Sequence, residues 1–332
     1  MNEIRDKSVD ERIIERNFPL QQMRKIKQYL LDDNVTEIML NADGYIRIED
    51  NVKKYKTDIF LSDDEAMSII TAVASENNKE MSRDTGGIIS GILATGDRFE
   101  GINGEASGHK TIFCIRKKAR KIYTLDDYVE SQIISEAEKD YIIEKIRERK
   151  NVLIIGGTSS GKTTFINACL NEFRDSDTRF IILEDTAEIQ CVADDTVKLK
   201  TTKETPMNDL SASSMRLNPE IMIVGEMRSG DEVLALLEVW NTGHSGGMST
   251  IHANDCEGGL LRLQQLLMNY KKIEPSHSIS FIVKSVHILI NIQKVNGKRK
   301  ITEIAETKGY DYVEDKFKLE YVKGGDNGNS IL

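Results

Sequence analysis

Gly156, Gly157, Thr158, Ser159, Ser160, Gly161, Lys162 and Thr163 run consecutively as G-x4-G-K-T, with Thr164 next. That spacing suits the cradling of a phosphate chain. Glycines let successive backbone N–H groups turn inward, Lys162 neutralises charge on the outer phosphates, and the Thr163 hydroxyl can hold Mg2+. The motif follows the apolar run NVLII and opens the helical pattern TTFINACL. This is the strand, loop, helix order in which a helix N-terminus adds its dipole to an anion site. A glycine-serine turn with a solvated lysine would not require those flanks.

Hydrolysis needs further parts: a group that activates water, carboxylates for the metal and positive charge at the transition state. Glu184, Asp185 and Glu188 close the apolar run FIIL, which puts them at the carboxyl edge of a strand, where ligands of α/β folds bind. Glu184 could orient Mg2+ or its water shell, and a solvated loop is equally compatible with the pattern. The run IMIV ends in Gly225 and Glu226. Glu226 is the natural general base or water-positioning group, and Gly225 stands where many P-loop enzymes have a metal-binding Asp. More of the Mg2+ work then falls to Thr163 and Glu184.

His244 and His252 lie eight residues apart across a glycine turn and a short strand, with no third ligand nearby, so the spacing is not that of a metal site. A role at the outermost phosphate and a purely structural role both stay open. Arg98 in GDRFEG and Arg116 in FCIRKK precede the loop by a long stretch of chain. They serve a nucleotide only if the unit that carries them folds over it, in the same chain or from a neighbour; ordinary surface arginine is the default.

The elements that must position these groups follow from periodicity. An amphipathic helix is expected over 20–32, strands over 35–41, 45–50 and 55–60, and a helix from the Ser62 to Glu65 capping box to about Asn77. A glycine-dense stretch, 86–108, leads to a strand over 111–117. Thr124 to Asp127 and Ser135 to Glu138 start two more helices, the second running to about Lys150. Strands at 152–155, 180–183, 197–200, 221–224 and 248–251 alternate with helical patterns or loops, which indicates a largely parallel sheet. The expected organisation is an α+β domain over 1–121, a linker over 122–134 and an α/β domain over 135–332, with a frayed tail from 324.

Composition agrees with two globular units: 332 residues, 39% hydrophobic and 30% charged. The net charge is −9, and the chain is mildly acidic on both sides of Glu130, so no half is a polycation for coating DNA and stable nucleic-acid binding is not expected. A basic patch from Arg116 to Lys121 is local. Cys114, Cys169, Cys191 and Cys256 are dispersed, which fits free thiols in a reducing cytoplasm. The charged N-terminal segment is unlike a signal peptide, and the most apolar stretch, 281–292, is broken by Lys284 and His287. Membrane association is therefore expected to be peripheral.

Together the segments VTEIMLNADGYIRIED, RFEG, FCIRKKARKIYTLDDYV, GGTSSGKTT, ILEDTAEIQC, SSMRLNPEIMIVGEMR and TGHSGGMSTIHAND resemble the traffic ATPases of bacterial secretion, most of all the TrbB-type conjugative-transfer ATPases of type IV secretion. Four correspond, in order, to that family's Walker A, Asp box, Walker B and His box. The resemblance implies a homo-hexameric ring in which a PAS-like N-terminal domain and a RecA-like P-loop domain sandwich ATP and Mg2+. It implies that Lys162 and Thr163 serve phosphate and metal, Glu184 and Glu188 the Asp box, Glu226 catalysis, and His244 and His252 the His box. Arg98 and Arg116 would be charges lent by the N-terminal domain, with Arg216 and Arg228 further candidates at a subunit boundary.

Three departures stand out. Ser159 replaces a usual glycine, which matters only if that position needs a positive φ. The stretch after RFEG lacks the family's proline, and the tetracysteine module of type II assembly ATPases is missing. The expected function is ATP hydrolysis powering conjugative transfer or pilus assembly on inner-membrane secretion proteins, at the inner face of the cytoplasmic membrane. The alternatives are a PilT-like retraction motor, a nucleotide-gated scaffold with little turnover, and a DNA-translocating motor.

Overall fold

The computed structural model describes residues 7–82, 86–118, 122–202, 204–270 and 273–325. The end of the basic patch (119–121) and most of the tail expected to fray (326–332) lie outside the described residues. The chain divides into two compact units, Met1–Lys121 and Ile122–Leu332.

The first unit opens with helices α1 (Lys7–Arg16), α2 (Phe18–Gln22) and α3 (Lys27–Leu31). One helix was expected over 20–32; instead a 3-10 turn, Arg24–Ile26, separates α2 from α3. Leu20, Met23, Ile26 and Leu30 are all buried, and their largely three-residue spacing keeps apolar side chains aligned in a 3-10 turn rather than a longer α-helix. Strands β1 (Val35–Leu40), β2 (Tyr45–Asp50) and β3 (Lys54–Phe60) stand where alternation placed them. Helix α4 (Asp63–Glu76) starts at a complete Ser62–Glu65 capping box.

Strands β4 (Gly87–Ile92) and β5 (Arg98–Asn103) occupy the glycine-dense stretch, where no strand was expected, before β6 (Ile112–Arg116). Glycine is a poor strand former, but here it serves close approach. A Cβ on Gly101 would stand 2.8 Å from Ile70 Cδ1, and one on Gly91 2.7 Å from Asn77 Nδ2, so these positions let α4 and its C-terminal end lie down on the sheet. The sheet has the order β3-β2-β1-β6-β5-β4 and is antiparallel throughout.

Residues 122–134, expected as a linker, carry α5 (Leu125–Glu130), and Leu125, Tyr128 and Ile134 are buried in the core of the second unit. Apolar burial of those three side chains binds it there. Next come α6 (Glu136–Arg147), β7 (Val152–Ile155), α7 (Lys162–Leu170), β8 (Phe180–Glu184), β9 (Thr196–Lys200) and α8 (Met207–Ser214). They are followed by β10 (Ile221–Val224), α9 (Gly230–Asn241), β11 (Met248–Ile251), α10 (Cys256–Asn269) and α11 (Pro275–Ser285). A meander of β12 (Ile288–Val295), β13 (Lys298–Asp311) and β14 (Lys316–Lys323) closes the unit.

The second sheet has the order β14-β13-β12-β7-β11-β10-β8-β9, parallel from β12 to β9 and antiparallel through the meander. Alternate residues of the central strands feed two cores. Ile154, Ile182 and Ile223 join Phe165 and Ile166 of α7 on one face. Ile155, Ile181 and Met222 join Leu236 of α9 and Leu263 of α10 on the other. With both faces covered, these strands read as unbroken apolar runs. The apolar stretch 281–292 is the end of α11 joined to β12, and His287 at the joint accepts a hydrogen bond at Nδ1 from Asn151 N (3.0 Å).

Candidate functional site

The glycine-rich loop spans the gap between the carboxyl end of β7 and the first turn of α7. Gly161, at φ 103, is the residue that caps α7. A Cβ on Gly156 would fall 2.2 Å from the Ile292 carbonyl oxygen, so only glycine lets the loop lie against β12. Ser159 does sit at positive φ (57), and a serine there stores on the order of 1 kcal/mol of backbone strain relative to glycine.

Lys162 is 7% exposed, and its Nζ donates to Gly156 O (2.9 Å) and Gly157 O (3.0 Å). The ammonium is thus held under the loop. Ser160 Oγ is buried with no hydrogen-bond partner. A concave loop with a buried cation and an orphaned hydroxyl fits a phosphate chain, whose oxygens accept from both.

Strand order brings the other candidates to the same edge. Lys162 Nζ also lies 3.3 Å from Nδ1 of His252, which follows β11. His252 Nε2 is 2.9 Å from Glu226 Oε1, just past β10, and Glu226 Oε2 accepts from Arg228 Nη2 (2.7 Å). Arg228 Nη1 reaches Asp185 Oδ2 at 3.3 Å. A lysine only donates, so the tautomer that satisfies both contacts accepts at Nδ1 and donates from Nε2 to Glu226. Burial lowers the His252 pKa, and the charges of Lys162 and Arg228 lower it further against the pull of Glu226. Burial alone would raise the Glu226 pKa, but Arg228, His252 and Lys162 together hold it below the usual carboxylate value. At neutral pH the pair is a neutral imidazole beside a carboxylate.

Glu184 and Glu188, both carried to this edge by the loop after β8, make different contacts. Glu184 is 4% exposed, and its Oε1 accepts from the backbone N–H groups of Glu188 and Ile189, both at 2.8 Å. Burial raises its pKa against those two hydrogen bonds. It holds the loop after β8, while Glu188 Oε2 accepts from Thr163 Oγ1 at 3.3 Å. Glu184 also fills the space beside Gly225, where a Cβ would lie 3.1 Å from its Cγ. An aspartate at 225 would displace it. Asn167 was missed; its Oδ1 accepts from Gln190 N and its Nδ2 donates to Glu188 O, tying that loop to α7. A lone amide inside the apolar run FINACL was its signal.

Two candidates of the second unit stand away from this edge. His244 precedes β11, at the end of the strand away from His252, half-buried and with Nδ1 unpartnered. Arg216 is exposed before β10, at the strand end away from Glu226. Arg98 and Arg116 belong to the first unit, paired across β5 and β6, and Arg116 Nε and Nη2 both lie 2.9 Å from Glu37 Oε1.

Comparison with known proteins gives a consistent picture. The family model described as type II/IV secretion system protein matches residues 108–309. The chain is 40% identical over 282 residues to a probable conjugal transfer protein TrbB of Sinorhizobium fredii, covering 84% of this chain and 85% of that one. Among solved structures, the Legionella pneumophila ATPase DotB matches with TM-score 0.64 and 20% identity, over 86% of this chain and 79% of that chain. The pilus retraction motor PilT with bound ADP matches with TM-score 0.62 and 16% identity, over 91% and 83%. At these identities the two structures establish a shared α/β fold.

Proposed function

Because this chain belongs to the type II/IV secretion system protein family, we propose that it is a Mg2+-dependent ATPase that works as a ring of six copies and powers conjugative transfer. The observation that carries the reading is the run of contacts from Lys162 through His252 and Glu226 to Arg228, built at the carboxyl ends of β7, β11 and β10. We read the second unit as RecA-like and the first, with its antiparallel sheet and flanking helices, as PAS-like. We place the protein at the inner face of the cytoplasmic membrane, docked on inner-membrane secretion proteins. Among the described residues no helix is long and apolar enough to cross a membrane.

In this mechanism the ATP phosphates take over the Lys162 ammonium from the Gly156 and Gly157 carbonyls. Magnesium, held by Thr163 with Glu188 beside it, would neutralise charge on the outer phosphates. Glu226, kept ionised, orients the attacking water and accepts its proton. His252 links that carboxylate to Lys162, so a change at the outermost phosphate alters both contacts. Arg228 restrains Glu226 and ties it to Asp185, and Glu184 fixes the loop that presents Glu188.

ATP turnover per chain, measured against protein concentration with Mg2+ present and native mass read on the same samples, tests the proposal. Turnover is expected to rise from near zero to a plateau as mass reaches six chains. Full turnover at monomer mass sinks the ring, and none at any concentration sinks hydrolysis in favour of a nucleotide-gated scaffold.

The pH profile tests the neutral imidazole. With its folded pKa below 6.5, His252 binds fewer protons in the folded than in the unfolded chain just under that pH. Its contribution to stability is complete above 6.5 and is lost as pH falls through the folded value. Protonation also turns Nδ1 into a donor facing Lys162. Turnover followed from about pH 8 to about pH 5 should hold to about 6.5 and fall on the acid side. A flat profile removes neutral His252 from the mechanism.

A further inference from the structure

Beside the phosphate loop, the hairpin of β12 and β13 carries the basic sequence QKVNGKRK. Its turn, Asn296 and Gly297, has positive φ at both residues (51 and 78), the geometry of a tight two-residue hairpin turn. The register pairs Ile292 with Ile301 and Lys294 with Arg299. Residues two apart along a strand share a face. Ile292 and Ile301 are buried in the core that includes Phe165 of α7, so Lys294 and Arg299 lie on that same side, nearer the tip.

Arg299 thereby arrives at the loop. Its Cδ and Nε both stand 3.1 Å from where a Cβ on Gly161 would be, next to Ile292 Cδ1 at 3.6 Å. The Nε is buried without a hydrogen-bond partner. Leaving a buried donor unpaired is costly. That penalty falls when an anion arrives. The strand order sets which part of the ligand that is: β12 flanks β7 on one side, while β11 and β10, with His252 and Glu226, lie on the other. Arg299 is on the flank away from the group that handles the outermost phosphate.

We propose that Arg299 is a nucleotide-binding residue, brought by the β12–β13 hairpin to the side of the phosphate loop and pairing with the inner phosphates of a bound nucleoside di- or triphosphate. The proposal rests on the nucleotide reading given above and adds a contact from the C-terminal meander. An inner-phosphate contact is made equally to ADP and ATP, which separates it from Glu226 and His252.

The test is equilibrium binding of ADP and of ATP to the full chain and to Arg299→Gln and Arg299→Lys, with the melting temperature of each measured without nucleotide. Arg299→Gln is expected to weaken ADP and ATP by the same factor, roughly tenfold for a lost charge-assisted hydrogen bond, with a nucleotide-free melting temperature that does not fall. Arg299→Lys should recover part of that affinity. Wild-type ADP affinity in Arg299→Gln overturns the proposal. So does a loss confined to ATP, which would move the contact to the outermost phosphate, or a lowered melting temperature with affinity intact, which would make the residue structural. If the wild-type chain itself binds neither ADP nor ATP, the nucleotide reading falls first and takes this contact with it.

Discussion

Lys162→Ala is expected to lower ATP turnover by at least about a hundredfold and to remove measurable nucleotide binding. The ammonium is the cation buried under the loop, anchored by Gly156 O, Gly157 O and His252 Nδ1. Alanine removes the charge that offsets the phosphates and also the donor that fixes the His252 tautomer, so binding and the link to Glu226 fail together. The fold should survive, because β7 and α7 are secured by Ile154, Phe165 and Ile166 in the core. Nucleotide titration and Mg2+-dependent phosphate release check this, and an affinity within a few-fold of wild type would overturn the phosphate-loop assignment.

Glu226→Gln separates binding from chemistry. The amide keeps the volume and can still accept from Arg228 or His252, so the surrounding geometry is retained. What is lost is the negative charge that orients water and takes its proton, worth about 10²- to 10⁴-fold. ATP affinity should stay near wild type while turnover falls by that factor. Undiminished turnover would falsify the role given to Glu226, and a parallel loss of affinity would recast it as a binding group.

Much of the fold was legible because it is local. The capping boxes at Ser62, Thr124 and Ser135 each start a helix where the pattern placed it, since a cap is satisfied within four residues. The central strands of the second sheet were legible as apolar runs. The strands β4 and β5 were not, because Gly91 and Gly101 are chosen by contacts with Asn77 and Ile70, far away in sequence. The segment 122–134 read as a linker for a similar reason: Leu125, Tyr128 and Ile134 find their buried partners only after the sheet is assembled.

The site divides along the same line. The phosphate loop is legible in the chain alone, because a contiguous strand, glycine turn and helix carry the cradle, the cation and the hydroxyl within a few residues. The sequence also placed Glu184, Glu226 and His252 at strand ends. Assembly of the sheet settled that Glu188 meets Thr163 while Glu184 Oε1 accepts from backbone N–H groups, that His252 and not His244 joins Lys162 to Glu226, and that Arg299 reaches Gly161. Those outcomes depend on which strands lie side by side and in what register, and strand neighbours are set by packing between segments remote in the chain, which no local spacing encodes.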